Sequence, residues 1–163
     1  MRGAGRHTSG IRNRLDLPFT RLPHGDNLPV PSLATPGSAG YDVASADEGT
    51  LAPLERRLFR TGFAIAIPRG FECQIRPRSG LALKHGITLP NSPATIDSDY
   101  RGELMVALVN LGTEAFQITR GMRIAQLVFA RVAHASWREL AELPPTARAD
   151  GGFGSTGTGR LGG

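Results

Sequence analysis

The sequence predicts an all-β domain, a barrel or sandwich of short strands, and three observations carry that prediction. Apolar and polar residues alternate in several separate runs, which is the pattern of strands buried on one face. Twenty-one glycines and 12 prolines in 163 residues supply tight turns between those runs. Extended 3.6-residue periodicity is scarce, which argues against helical layers. Hydrophobic residues make up 40% of the chain and aromatic ones only 6%, so Val, Ile, Leu and Ala must fill the core of one ordinary domain.

Along the chain, residues 1–14 show no periodicity and read as a flexible basic extension. Residues 15–35 mix apolar residues with Pro and Gly, predicting an edge strand and a loop. Residues 61–67 alternate with Phe63, Ile65 and Ile67 on one face. Phe71–Arg76 does the same, with Phe71, Cys73 and Ile75 inward. Pro68-Arg69-Gly70 lies between these two runs, so they are expected to pair as a hairpin. Ser79–His85 predicts a short helix stopped by Gly86. Residues 104–109 and 124–132 are the strongest core strands. Residues 136–143 predict a second short helix, ended by Pro144-Pro145. The domain therefore spans 15–143, and the Gly-, Thr- and Ser-rich tail 144–163 is expected to be mobile by itself.

Composition excludes several classes. The lone Cys73 cannot form an internal disulfide, which argues against a secreted, disulfide-stapled domain. No run of 18 apolar residues is present, so a membrane span is not expected. The first residues carry Arg2, Arg6, Arg12 and Arg14 without a following apolar stretch, which is not a secretory signal. The net charge of +5 invites a nucleic-acid reading, but residues 1–30 hold five Arg against Asp16 and Asp26 and so account for +3 of it. No basic run with interleaved aromatics follows, so nucleic acid is not an expected partner.

Five islands of polar and glycine residues stand out. In the first, Gly37-Ser-Ala-Gly-Tyr-Asp-Val43, Asp42 sits at a strand start, either as a site carboxylate or as an Asx-turn residue. In the second, Arg76-Pro-Arg-Ser-Gly-Leu-Ala82, Ser79 and Gly80 open a helix beside Arg78. Backbone N–H groups and a guanidinium there would suit an anion; a Ser N-cap with a solvated arginine is the alternative. The third, residues 91–104, reads NSPATIDSDYRGEL and combines Asn91, Asp97, Asp99, Tyr100 and Arg101 beside a core strand. Polar loops on rigid frames commonly hold sites, and Asp97 is the candidate base. Asp97 and Asp99 would face the same side of a strand, so a turn is expected to separate them. In the fourth, Arg120-Gly-Met-Arg-Ile-Ala-Gln126, a polar Gln126 interrupts an apolar strand and needs a partner, from a ligand or from the backbone. In the fifth, 148–157, Phe153 stands alone among glycines, as a ring lid or as a stray aromatic in a linker. His7, His24, His85 and His134 are scattered without metal-ligand spacing, and Cys73 faces inward and reads as inert.

Taken in order, the strings AGYDV, PRSGLA, NSPATIDSDYRGEL, RGMRIAQL and RADGGFGSTG resemble the five motifs of the trimeric deoxyuridine triphosphatases, over about residues 15–157. The resemblance implies a jelly-roll-like β-barrel with one short helix, assembled as a homotrimer whose active sites lie between subunits. It implies hydrolysis of dUTP to dUMP and pyrophosphate with Mg²⁺ held mainly by the triphosphate, in the cytoplasm, limiting uracil in DNA and supplying dUMP for dTMP synthesis. Carried over residue by residue, Asp97 resembles the general base. Asn91 and nearby backbone resemble the uracil reader and Tyr100 the ring under the deoxyribose, and Thr95, Ile96 and Met105 are also expected to bind substrate. Arg78, Ser79, Gly80 and Gln126 resemble phosphate contacts, and Asp42 the carboxylate near the metal's water shell. Phe153 and Gly154 resemble the uracil-stacking lid, and Arg148, Ser155 and Thr156 the γ-phosphate clamp.

Two residues depart from that pattern. Ala94 stands where the family often has Gly, which would cost roughly 1 kcal/mol if a positive φ were required. Ala149 stands where Gly commonly follows the tail arginine. A related deoxycytidine triphosphate deaminase would be expected to carry a serine pair after Arg78, whereas Gly80 follows Ser79 here. A non-catalytic nucleotide binder on the same fold would be expected to lack Asp97 or the tail.

Overall fold

A computed structural model describes residues 14–146 and 149–150. In chain order the strands are β1 (Phe19–Arg21), β2 (Ser32–Leu33), β3 (Tyr41–Ala44), β4 (Gly49–Leu51), β5 (Arg56–Ile65), β6 (Phe71–Arg76), β7 (Ile87–Thr88), β8 (Ala94–Ile96), β9 (Glu103–Asn110), β10 (Phe116–Ile118) and β11 (Arg123–Arg131). Among the described residues one α-helix, α1 (Ser79–His85), lies between β6 and β7, and a single 3-10 turn spans Pro23–Gly25, so the all-β expectation with one short helix holds.

The strands pair antiparallel in a four-stranded sheet of order β1-β5-β9-β7, a five-stranded sheet of order β2-β3-β11-β6-β8, and a β10-β4 pair. The two large sheets face each other through their apolar sides. Phe59, Leu104, Val106 and Leu108 of one meet Val43, Cys73, Ile75 and Leu127 of the other in one buried cluster. Period-2 alternation explains this, because each strand sends every second side chain inward. In β11 the alternation breaks: Ile124 and Ala125 are both buried, and the pairing with β3 shifts register between Arg123 and Ala125. A bulge of this kind turns consecutive side chains to one face.

The hairpin expected from 61–67 and Phe71–Arg76 does not form. Phe63, Ile65 and Ile67 are buried as predicted, and Phe71 N–H closes a turn onto Pro68 carbonyl at 3.1 Å. That turn crosses between sheets instead, since β5 pairs with β1 and β9, while β6 pairs with β11 and β8. Alternation fixes which face is buried but not which strand is the neighbour. The strand β5 also starts at Arg56, five residues before the predicted start.

Helix α1 ends as expected: Gly86 adopts φ 69°, and its N–H reaches the carbonyls of Ala82 and Leu81. Its N-cap is Arg78 rather than Ser79. Ala94 sits in extended backbone opposite Ile75, so that position needs no glycine. Ala149 does take a positive φ, 46°.

The chain divides into two units, Met1–Ala133 and His134–Gly163. In the second unit the predicted helix at 136–143 is absent; the segment has no regular structure and Trp137 is 96% exposed. Its apolar residues Trp137, Leu140 and Leu143 are all exposed, so no burial supports a helix this short. The expected flexible extension falls outside the described residues, apart from Arg14, and most of the tail does too.

Three polar side chains lie deep in the fold, and each is satisfied. Asn110 donates to the carbonyls of Leu51 (2.9 Å) and Glu114 (2.8 Å) and accepts from Gly112 N–H (2.8 Å). Thr61 donates to Leu104 carbonyl at 2.7 Å, and Ser45 to Asp47 carbonyl at 2.8 Å. Asn110→Ala removes three hydrogen bonds at once, one of them to the carbonyl of the buried Leu51, and is expected to lower unfolding free energy by about 3 kcal/mol; urea denaturation reads the change. On the surface, hydrogen bonds from the Arg60 side chain, partly opposed by burial, hold the Asp47 carboxyl below its ordinary value of 3.8. The depressed value makes this contribution present above pH 3.8 and lost as pH falls below it. The stability gap between the native chain and Asp47→Asn is therefore expected to close in acid, as followed by denaturation at several pH values.

Candidate active site

Antiparallel pairing builds the cleft. Gln126 on β11 stands opposite Asp42 on β3 and opposite Arg76 on β6. The chain leaving β6 then turns through Pro77 and Arg78 into α1. Three of the five islands, far apart in sequence, therefore converge. An open cleft of about 330 Å³ is lined by Gly40, Asp42, Arg78, Ser79, Gly80 and Gln126, among others.

One carboxylate organises its charge. Asp42 accepts from Arg78 Nε at 3.0 Å and from Arg123 Nη1 at 2.8 Å, and its side chain is only 15% exposed. Arg78 also donates to Arg123 carbonyl at 3.0 Å, which fixes its plane. Two guanidinium groups share one carboxylate, so the cluster carries a net positive charge and has donors to spare. Arg123 was not singled out from the sequence as a site residue. Its one signal was a second arginine three residues after Arg120, at the mouth of a strand. Arg120 instead serves the fold, donating to the carbonyls of His24, Ala46 and Asp26.

Gln126 finds a backbone partner, Pro77 carbonyl, at 3.0 Å. Its amide lies over Gly40, where an added Cβ would meet Oε1 at 2.1 Å. Ser79 and Gly80 open α1, ahead of Leu81 and Ala82, whose N–H groups both reach Arg78 carbonyl. The first N–H groups of a helix lack intrahelical acceptors and suit anionic oxygens.

The third island lies elsewhere. Residues 94–96 form β8, with Cys73 opposite Ile96, and Tyr100 N–H closes a turn onto Asp97 carbonyl at 3.2 Å. The turn separates Asp97 from Asp99 as expected, and both are exposed. Continuing the β6–β8 register puts Asp97 beside Glu72, four residues from Arg76, or about 13 Å along the strand. Asp97 accordingly does not line the cleft. Asn91 and Thr95 are exposed and Ile96 is half-buried. The Tyr100 hydroxyl donates to Glu103 carbonyl at 2.9 Å, and Met105 follows on the same outward face of β9. Arg148, Phe153, Gly154, Ser155 and Thr156 lie outside the described residues.

A larger groove of about 960 Å³ is walled mainly by apolar side chains such as Phe63, Phe71 and Phe129 and contains none of the predicted site residues. Chemistry, rather than size, favours the smaller cleft. Burial pushes the Cys73 thiol up to about 12, so it is no nucleophile. Among the described residues no group of three or more His, Cys, Asp or Glu side chains could cage a metal. With Asp42 occupied by two arginines, the donor set fits a hard cation carried by ligand oxygens and water better than one held by the protein.

The dUTPase family model matches residues 26–157. A deoxyuridine 5'-triphosphate nucleotidohydrolase of Zymomonas mobilis is 58% identical over 144 residues, covering 88% of this chain and 99% of its own length. The one from Rhizobium etli is 57% identical, covering 86% and 93%. Among solved structures, the Staphylococcus bacteriophage 80alpha dUTPase with dUPNHPP superimposes with TM-score 0.80 at 25% identity, covering 87% of this chain and 98% of that one. A mutant dUTPase from phage phi11 of S. aureus, described with a structural Mg(II) ion, superimposes with TM-score 0.72 at 22% identity, covering 80% and 100%. The fold is thus the jelly-roll-like one expected.

Gly40→Ala is expected to displace the Gln126 amide from Pro77 while leaving the fold intact, because the obstructing atom ends a flexible side chain. The Gln126 side-chain amide resonances should move, and the melting midpoint should fall by less than about 4 °C, the equivalent of some 1 kcal/mol in a chain of 163 residues.

Proposed function

This chain belongs to the dUTPase family, and from that premise we infer that it is an enzyme hydrolysing dUTP to dUMP and pyrophosphate. The observation that carries the reading is the cleft in which Arg78 and Arg123 share the single carboxylate of Asp42 beside the start of α1. A triphosphate is the ligand such an excess of fixed donors suits.

We assign the roles as follows. Arg78, the N–H groups at Ser79 and Gly80, and the Gln126 amide receive phosphate oxygens. Asp42 orients the arginines before the nucleotide arrives and stays near the water shell of its cation. When Mg²⁺ is bound to the triphosphate it neutralises charge on the phosphate oxygens. Asn91, Thr95, Ile96 and Met105 hold uracil, and Tyr100 lies under the deoxyribose, leaving no room for a 2′-hydroxyl. Asp97 accepts a proton from water as the water oxygen attacks the α-phosphorus. The bond from that phosphorus to the bridging oxygen breaks, and pyrophosphate leaves. Arg148, Phe153, Gly154, Ser155 and Thr156 close over the nucleotide and exclude water.

The separation of Asp97 from the cleft supports a site assembled between chains. Three copies in a closed ring would set the Asp97 turn of one against the arginine cleft of the next, with the tail of a third as lid. The cytoplasm is the compartment we assign, where a lone reduced Cys73 is at home. There the reaction would lower dUTP, limit uracil in DNA and supply dUMP for dTMP synthesis.

Pyrophosphate release from dUTP, dCTP, dTTP and UTP, each with and without Mg²⁺, tests the reading: release is expected from dUTP with the cation, and equal release from all four would overturn it. Asp97→Asn is expected to bind dUTP as the native chain does while losing about 10²–10⁴-fold in turnover. A native rate in that variant would remove Asp97 from the mechanism.

A further inference from the structure

We propose that His24 and Glu103 are positioning residues that set the Tyr100 ring, and through it the discrimination between deoxyribose and ribose. The inference rests on the assignment of Tyr100 to the sugar.

Tyr100 is 39% exposed, so packing alone does not fix it. Its hydroxyl is anchored to one acceptor, Glu103 carbonyl, at 2.9 Å. The hydroxyl end of the ring lies against Gly102, where an added Cβ would meet the hydroxyl oxygen at 2.4 Å. The ring therefore goes where the Glu103 backbone goes.

That backbone sits where the sheet ladder fails. Arg60 pairs with Met105, but the next β5 partner is Ala64 with Glu103, so residues 61–63 bulge out of register. Glu103 itself still pairs with Ala64, but the bulged residues opposite Leu104 lose their regular ladder partners. The Glu103 side chain ties that bulge back to β9. One of its oxygens, Oε1, accepts from Gly62 N–H at 2.8 Å and from His24 Nε2 at 2.7 Å, and the side chain is only 14% exposed. The Thr61 hydroxyl adds its bond to Leu104 carbonyl one residue on.

The parts gripping Glu103 are themselves fixed. Gly62 has φ 77°, and an added Cβ there would stand 2.3 Å from Gly25 Cα, so the bulge and the turn at Pro23–Gly25 touch backbone to backbone. Leu22 N–H donates to Gly62 carbonyl at 2.9 Å. Arg21 donates to Gly25 carbonyl at 2.7 Å and Leu28 carbonyl at 2.6 Å, and Arg120 to His24 carbonyl at 2.8 Å. His24 is thus presented from a rigid turn, and a chain of contacts runs from it through the Glu103 carboxylate to the Glu103 carbonyl and the Tyr100 hydroxyl. The links at either end are hydrogen bonds of ordinary length, 2.7 Å at His24 and 2.9 Å at Tyr100, and Glu103 joins them covalently.

The test compares kcat/KM for dUTP with that for UTP in the full chain. His24→Ala and Glu103→Ala are each expected to cut the dUTP preference by about tenfold, chiefly through KM, because binding geometry rather than proton transfer is disturbed. Glu103→Gln keeps an oxygen for Gly62 and His24 and is expected to restore the native ratio. Tyr100→Phe, which lacks the anchored hydroxyl, is expected to show the same loss, and adding Glu103→Ala to it should cost little more, since both break one chain. If Tyr100→Ala leaves the ratio unchanged, the sugar assignment itself fails. If Tyr100→Ala lowers it but His24→Ala and Glu103→Ala do not, the positioning proposal alone is overturned. Should Glu103→Ala fail to fold, His24→Ala decides, because it leaves the Gly62 bond in place.

Discussion

The position of β6 between β11 and β8 is the constraint on which the rest depends. Its pairing with β11 sets Gln126 against Arg76 at one end, and its pairing with β8 sets Ile96 against Cys73 toward the other. Backbone hydrogen bonds therefore hold the arginine cleft and the Asp97 turn apart by a fixed length of strand. No side-chain rotation closes a gap of about 13 Å. If Asp97 is the base for chemistry in that cleft, a second copy of the chain must supply it. An oligomeric enzyme is then a consequence of strand register, and the same register makes the arrangement repeatable in every copy.

Electrostatics completes the picture at each end. In the cleft, Asp42 is too little to neutralise Arg78 and Arg123, but enough to hold both planes in place before a ligand comes. Preorganised donors of this kind need no rearrangement when phosphate charge develops. Near the Asp97 turn, Glu103 ties the bulge in β5 back to β9, and the loop it steadies carries Tyr100. In both places one half-buried carboxylate fixes groups that face outward.

Much of this was legible in the sequence, for identifiable reasons. Alternation marked Phe63, Ile65, Ile67, Cys73 and Ile75 as core because burial on a strand has period 2. Gly86 announced the end of α1 because the left-handed conformation favours glycine. Asp42, Arg78, Ser79, Gly80 and Gln126 were all named, and the cleft gathers them. The partner of β6 was not legible, since alternation is silent on which strand lies alongside. The start of β5 was hidden because Arg56, Arg57 and Arg60 surround Leu58 and Phe59, masking the period. Arg123 and the His24–Glu103 contact depend on residues 81 and 79 positions apart meeting across the fold, which spacing along the chain does not reveal. The helix expected at 136–143 rests on propensity, and the exposed Trp137, Leu140 and Leu143 show no burial to sustain it.

The central claim, that catalysis needs the cleft of one chain and the aspartate of another, is tested most directly by mixing two inactive variants. Arg78→Ala and Asp97→Asn chains would be co-expressed in equal amounts, and dUTP hydrolysis by the mixed assemblies measured. A site shared between chains predicts recovery of about one quarter of native activity, because a quarter of the sites then pair an intact cleft with an intact aspartate. Mixed assemblies as inactive as either parent would contradict the account.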